Sequence, residues 1–254
     1  MQIGHTSELT KELGGKFVLH TNILIAIVDE QHGWHEKTLR FFEKMAAKNK
    51  GFLFFYVLAS KLELSEYLRK KFYTNWLVET YGKGNHIFGP DHPFDEFCKN
   101  HEFVAEPTTS NKFLSDREIK HIRSACIRAF STDVEGLKMW ENISQLALAG
   151  RFKLAEETLN RVGIHYKGLH DLDIFDEANP PQWKDQEVFM KRFGLGSSDA
   201  AILNMVNSSP KINGLITNDS DLITIFRSTL VRKDVTCYSF IPSLLKESSF
   251  KKVG

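Results

Sequence analysis

The run from Phe52 to Val57 reads Phe-Leu-Phe-Phe-Tyr-Val, with no alternation of apolar and polar residues. A strand that keeps one face in water alternates; a strand covered on both faces does not. Gly51 opens the run, and a long helical pattern follows from Ala59 to about Tyr81. This order predicts a central strand of a parallel sheet with helices on both sides. Two further segments share the grammar. Lys16 to Leu19 is a short apolar strand that stops at His20-Thr21-Asn22 and continues as a helix from Ile23. Ile212 to Thr217 is a second, stopped by Asn218-Asp219 before the apolar turn Leu222 to Phe226. Val235 to Ser239 reads as the last strand, and Ile241 to Lys246 as a closing turn. The polar groups at the strands' carboxyl ends stand where open α/β sheets place their sites.

Residues 82–189 interrupt the rhythm. The stretch 82–109 is loop-rich, with Pro90, Pro93 and Pro107. Helical spacing then predicts helices over Ser115–Phe130, Val134–Ala149 and Phe152–Val162. His165 to Trp183 is acidic and reads as a return linker, before a helix over Gln186–Arg192. The expected architecture is an α/β domain, a parallel sheet flanked by helices, made of residues 16–81 and 190–245. An all-helical region, 82–189, is inserted in it. Trp34 to Lys48 is an amphipathic helix of that domain, with Leu39, Phe42 and Met45 on one face. Residues 1–15 are polar and read as a lead-in.

Composition bounds the function. The chain's 33 basic residues against 32 acidic ones leave a net charge of +1, so the whole-molecule field does not point to nucleic acid. Cys98, Cys126 and Cys237 form no C-x-x-C pair, which argues against zinc or a disulfide framework and fits a reducing cytosol. The N-terminus lacks an apolar signal core, and no run reaches membrane-span length. A cytoplasmic protein with no membrane partner is expected.

The candidate chemistry lies in the acids. Ser197 or Ser198 suits the N-cap of a helix whose first turn holds Asp199, and Ala201, Ile202, Met205 and Val206 give that helix its apolar face. Asp219 opens a second helix. Each acid taken alone reads as a helix-terminus carboxylate. Glu63 sits on the long helix after the apolar strand, with Glu66 a turn further on as its competitor. Arg69-Lys70-Lys71 form a basic trio. In the 115–130 helix, Ile119, Ile122, Cys126 and Ala129 make an apolar stripe, and Arg117, Lys120, His121 and Arg128 lie on another face. These cations make either a solvated surface or a set of phosphate contacts. His165, His170, Asp171 and Asp173 are too irregularly spaced for a metal site and read as polar linker. Trp76, Trp140 and Trp183 read as packing residues.

Four pieces in this order, Phe17 to Ile25 (Phe-Val-Leu-His-Thr-Asn-Ile-Leu-Ile), Val57 to Leu64, Gly194 to Ala201 and Leu215 to Leu222, resemble the PIN-domain ribonucleases. The resemblance covers roughly residues 16–80 and 190–245. It implies a parallel sheet flanked by helices and a carboxylate cluster that holds Mg²⁺ or Mn²⁺, hard cations that prefer oxygen ligands. It implies Asp199, Asp219 and Glu63 as metal ligands and Asp221 as an accessory acid. Asn22 would order the first strand's turn. Thr21, Asn22, Arg69, Lys70, Lys120 and Arg128 would face the substrate. The implied activity is metal-dependent endoribonuclease cleavage of tRNA, rRNA or mRNA, as in the toxin of a toxin–antitoxin pair, with an antitoxin protein and a second copy of the chain as partners. The chain departs from the pattern at one place. The family's first acid falls where His20 stands, and an imidazole neither supplies that charge nor suits Mg²⁺. His20 is then an inactivating substitution, the mark of a weakened member that still binds RNA, or a ligand for a softer ion or a general base. A module that binds RNA or protein without chemistry, and a flap-type nuclease acting on branched DNA, are the other classes this fold accommodates.

Overall fold

The structure, a computed structural model, describes residues 2–48, 51–105, 112–175, 180–227 and 231–245. The chain is α/β and divides into two compact units, Met1–Leu64 with Ala155–Gly254, and Ser65–Leu154. The sequence reading set the insertion at 82–189. The second unit is shorter at its C-terminal side because a strand at 164–166 belongs to the sheet.

The first unit is built on a six-stranded sheet. Its strands are β1 (Gln2–His5), β2 (Gly15–Leu19), β3 (Phe52–Tyr56), β4 (Ile164–Tyr166), β5 (Gly214–Ile216) and β6 (Thr236–Ser239). The order across the sheet is β1-β6-β5-β2-β3-β4, and every neighbouring pair is parallel. Two edge strands were not legible as strands. β1 lies in the polar lead-in and pairs with β6, Ile3 opposite Cys237. It leads into a helical turn, α1 (Thr6–Leu9), capped by the His5 ring. β4 lies at the start of the acidic linker and pairs with β3, Phe54 opposite Ile164. An edge strand has one sheet neighbour and little buried surface, so its residues need not be apolar: His165 and Tyr166 are exposed.

The continuous apolar runs follow from burial on both faces of the sheet. Val18, Phe55, Leu215 and Cys237 belong to one core cluster with Phe189, Ile202, Leu203, Val206, Ile223 and Phe226. Among the alternate residues, Phe17 makes ring contacts with both Phe54 and Tyr238, and Phe54 meets Phe42 edge-on at 5.0 Å. Phe42 lies on α3 (His35–Ala47), as its helical spacing predicts. Gly214 on β5 lies opposite Thr236 of β6. A Cβ there would stand 2.4 Å from the Thr236 carbonyl oxygen, so only glycine fits.

The helix α2 (Thr21–Val28) starts at the carboxyl end of β2 and α12 (Ser220–Ile225) at that of β5, and α11 (Ser197–Ser208) precedes β5. The helix α4 (Leu58–Tyr81) follows β3, and α10 (Trp183–Phe193) ends in Gly194, whose φ of 66° is the left-handed conformation of a helix stop. α9 (Arg151–Arg161) precedes β4, and the last element among the described residues is α13 (Pro242–Leu245); Lys246, the end of the expected closing turn, lies outside the described residues. Trp183 is 61% exposed and bonds Glu187, so it is not a packing residue.

The second unit has no strand among its described residues. Besides α4 from Ser65 on, it holds α5 (Pro93–Lys99), α6 (Glu102–Ala105), α7 (Asp116–Arg128) and α8 (Asp133–Leu148). α5 and α6 fall in the stretch expected to be loop; Pro107 lies outside the described residues. Pro93 sits at the first helical position, where its missing N–H costs nothing, so this proline starts a helix rather than breaking one. α7 opens on a Ser115–Glu118 capping box and buries Ile119, Ile122, Ala125 and Cys126. Those residues pack with Tyr73, Leu77, Phe94, Leu114 and Ile143. Trp76 and Trp140 lie against this core. The carboxylate of Asp95, fully buried, accepts from the Tyr81 hydroxyl at 2.7 Å and from the Phe88 and Gly89 amides.

Candidate active site

Strand order reverses around β2. The chain moves from β2 to β3 on one side, and later lays β5 on the other. A crevice opens at the carboxyl ends of two strands whose connections leave in opposite directions. Here those ends carry His20 after β2 and Thr217-Asn218-Asp219 after β5.

His20 is the N-cap of α2, yet its side chain makes no capping bond. The buried ring turns into the crevice instead. Nδ1 lies 2.9 Å from the Thr217 hydroxyl, and Nε2 lies 3.0 Å from Oδ1 of Asp199. The proton can be placed from the partners. The Asp199 carboxylate only accepts, so the proton between it and the ring is on Nε2, which donates to Asp199. In the neutral ring Nδ1 then accepts from the Thr217 hydroxyl, whose oxygen accepts from the Asp219 amide at 2.9 Å and, at the limit of a hydrogen bond, from the Asn22 side-chain amide at 3.5 Å.

Asp199 lies in the first turn of α11. That helix is capped by Gly196, not by Ser197 or Ser198, and the cap is backbone alone. Both serines fall inside the first turn, because the preceding Gly194 stop and the extended Gly196 set the start one residue earlier than hydroxyl capping would. Asp219 caps α12: its Oδ1 accepts from the amides of Asp221 at 2.8 Å and Leu222 at 3.0 Å. The plain helix-cap reading of Asp219 thus holds in full, and Asp221 is exposed. Glu63 accepts the Thr21 hydroxyl at 2.5 Å. Glu66 faces elsewhere, in the second unit, against Arg69 and Lys70. Between the two helix acids, Glu63 is the one tied to the strand end.

Asn22 was expected to order its own turn. It reaches across to β5 instead, where its Oδ1 accepts from the Asn218 amide at 3.2 Å. Asn218 in turn accepts from the Ser239 hydroxyl and the Phe240 amide, both at 3.0 Å, which ties the end of β5 to the end of β6. Thr217 is the residue that sequence reasoning missed. It reads as the last residue of an apolar strand, but it is fully buried and joins His20, Asn22 and Asp219. The only signal was a hydroxyl at the end of an otherwise apolar run.

These side chains do not fit a divalent cation as they stand. Asp199 is engaged by an N–H donor, Asp219 spends one oxygen on two amides, and Glu63 is engaged by Thr21. Among the described residues, no group of three His, Cys, Asp or Glu side chains is placed to hold a metal ion, at 165–173 or elsewhere. The cations expected to face substrate, Arg69, Lys70, Lys120 and Arg128, all lie in the second unit. Arg69 and Lys70 are paired with Glu66 and Asp116, whereas Lys120 and Arg128 are exposed. The three cysteines are free and buried, and burial pushes each thiol pKa up. No helix among the described residues is long and apolar enough to cross a membrane. Comparison with protein-family models, with curated proteins and with solved structures gave no match.

Proposed function

We propose that this chain is a PIN-like ribonuclease scaffold whose cleavage centre is impaired by His20, so that it binds RNA and cleaves it weakly or not at all. The observation that carries the reading is the contact between His20 Nε2 and Asp199 at 3.0 Å, at the point where the strand order reverses. A carboxylate at position 20 would place two acids side by side and attract a hard cation. A protonated imidazole nitrogen aimed at Asp199 satisfies that acid instead. On this reading the metal chemistry implied by the resemblance, with Mg²⁺ or Mn²⁺ near Asp199, Asp219 and Glu63, requires an acid at position 20. RNA is the ligand class, and a toxin's antitoxin is the partner class.

The test compares the chain with its His20→Asp variant. Mn²⁺ binding is followed by calorimetry, and cleavage by incubation with tRNA and total RNA. The expected result is Mn²⁺ binding and cleavage by the variant only, both abolished by a further Asp199→Asn change. Equal cleavage by the two chains would overturn the impairment. RNA binding with neither metal binding nor cleavage in the variant would favour a module that never had a metal centre.

A further inference from the structure

The second unit carries a cleft of about 210 Å³ lined by Arg69 and Tyr73 of α4, Asp116, Ile119, Lys120 and Arg123 of α7, and Trp140 of α8. Its two walls differ in chemistry. One is aromatic: Trp140 stacks on Tyr73 with ring centroids 5.4 Å apart and planes 12° from parallel. Tyr73 is buried and held from behind: its hydroxyl donates to Ser144 at 2.7 Å, and the Ser144 hydroxyl donates to the Trp140 carbonyl at 2.8 Å. Tyr73 thus backs the partly exposed Trp140, whose ring is the aromatic surface of the cleft.

The other wall is cationic. Asp116, Ile119, Lys120 and Arg123 recur at helical spacing along one side of α7. Asp116 does not make the cleft acidic, because Arg69 and Lys70 both pair with it and Glu66 completes a balanced set of two cations and two anions. Lys120 and Arg123 are exposed and make no ion pair among the described residues. The cleft's uncompensated charge is theirs. A ligand that satisfies both walls carries a planar ring and an anionic group a short distance apart.

We propose that this cleft binds a nucleoside phosphate, its base against Trp140, which Tyr73 backs, and its phosphate on Lys120 and Arg123. The unit comes either from a single-stranded RNA or from a free mononucleotide. The first source rests on the RNA reading given above; the second stands without it. Stacking accepts any base, so the cleft would favour single strands over a sequence.

The experiment uses the full chain in EDTA, which separates it from any cleavage at the His20 centre. Binding of a fluorescein-labelled eight-nucleotide oligouridylate is read by anisotropy over a range of salt, and binding of UMP and inorganic phosphate by calorimetry. Lys120→Glu with Arg123→Glu should weaken oligonucleotide binding at least tenfold. It should also reduce the log–log salt slope by about 0.7, the value for one phosphate contact on a single strand. Both changes lie at exposed positions, and an unchanged melting curve shows that the fold is kept. Trp140→Phe should lose the tryptophan quenching that accompanies binding. Oligonucleotide binding without UMP binding assigns the site to RNA, and tight UMP binding that excludes the oligonucleotide assigns it to a free nucleotide. Unchanged affinity and slope in the double variant would overturn the site. Inorganic phosphate binding as tightly as UMP would overturn the role of the rings. Failure of the His20→Asp variant to cleave leaves these results untouched.

Discussion

The placement of the proton in the crevice has a consequence that stability measures directly. Thr217→Val keeps the shape of a fully buried side chain and removes only its hydroxyl. Two groups then lose their partner at 2.9 Å: the Asp219 amide, which loses an acceptor, and Nδ1 of His20, which loses a donor. The bond to Asn22 is long, at 3.5 Å, and adds little. A buried polar group left unpaired costs about 1–3 kcal/mol, so two give a loss of about 3 kcal/mol. For a chain of this size that corresponds to a fall of roughly 9 °C in melting temperature. The assay is thermal unfolding by circular dichroism, with a cycle of Thr217→Val, His20→Ala and the double variant. A coupling of about 1 kcal/mol or more between the two positions is expected, because each removes the same bond. In the parent chain the ¹⁵N pattern of the His20 ring should be that of an Nε2–H tautomer. A melting shift under about 2 °C together with additive variants, or an Nδ1–H tautomer, would refute the network and with it the direction of the bond to Asp199.

Three further changes test other parts of the structure. Glu66 is held at about 2, below its ordinary 4.5, chiefly by the Arg69 hydrogen bond. A lowered folded-state value stabilises above pH 4.5 and is lost as pH falls from there through about 2. Glu66→Gln should flatten acid unfolding in that window only, by less than about 1 kcal/mol because the pair is largely solvated, and an unchanged acid profile would count against the ion pair. Thr38, fully buried on α3, has a hydroxyl with no partner among the described residues, so Thr38→Val should be neutral or stabilising by up to about 1 kcal/mol in urea unfolding; a clear loss would mean the hydroxyl is bonded. Gly214→Ala drives a methyl into the Thr236 carbonyl and should cost about 2 kcal/mol, read from the same melts, with a null effect speaking against the β5–β6 register.

What the sequence determined was the part written in continuous burial and helical period. Phe52 to Tyr56, buried on both faces, could only be an interior strand, and the helices containing Phe42, Ile119 and Val206 show their apolar faces at the spacing that packing requires. The positions of His20, Asp199 and Asp219 at strand ends and helix starts were legible for the same reason, since a change from apolar to polar marks where an element stops. Tertiary structure alone decided the rest. The edge strands β1 and β4 carry little buried surface and so leave no pattern. Which acid of Glu63 and Glu66 faces the strand end depends on the turn of α4, which spacing alone does not fix. Thr217 became the joint of the crevice because β2 and β5 lie side by side, though nearly 200 residues separate His20 from it in the chain. A hydrogen bond has a direction and a partner, and neither is written in the local sequence.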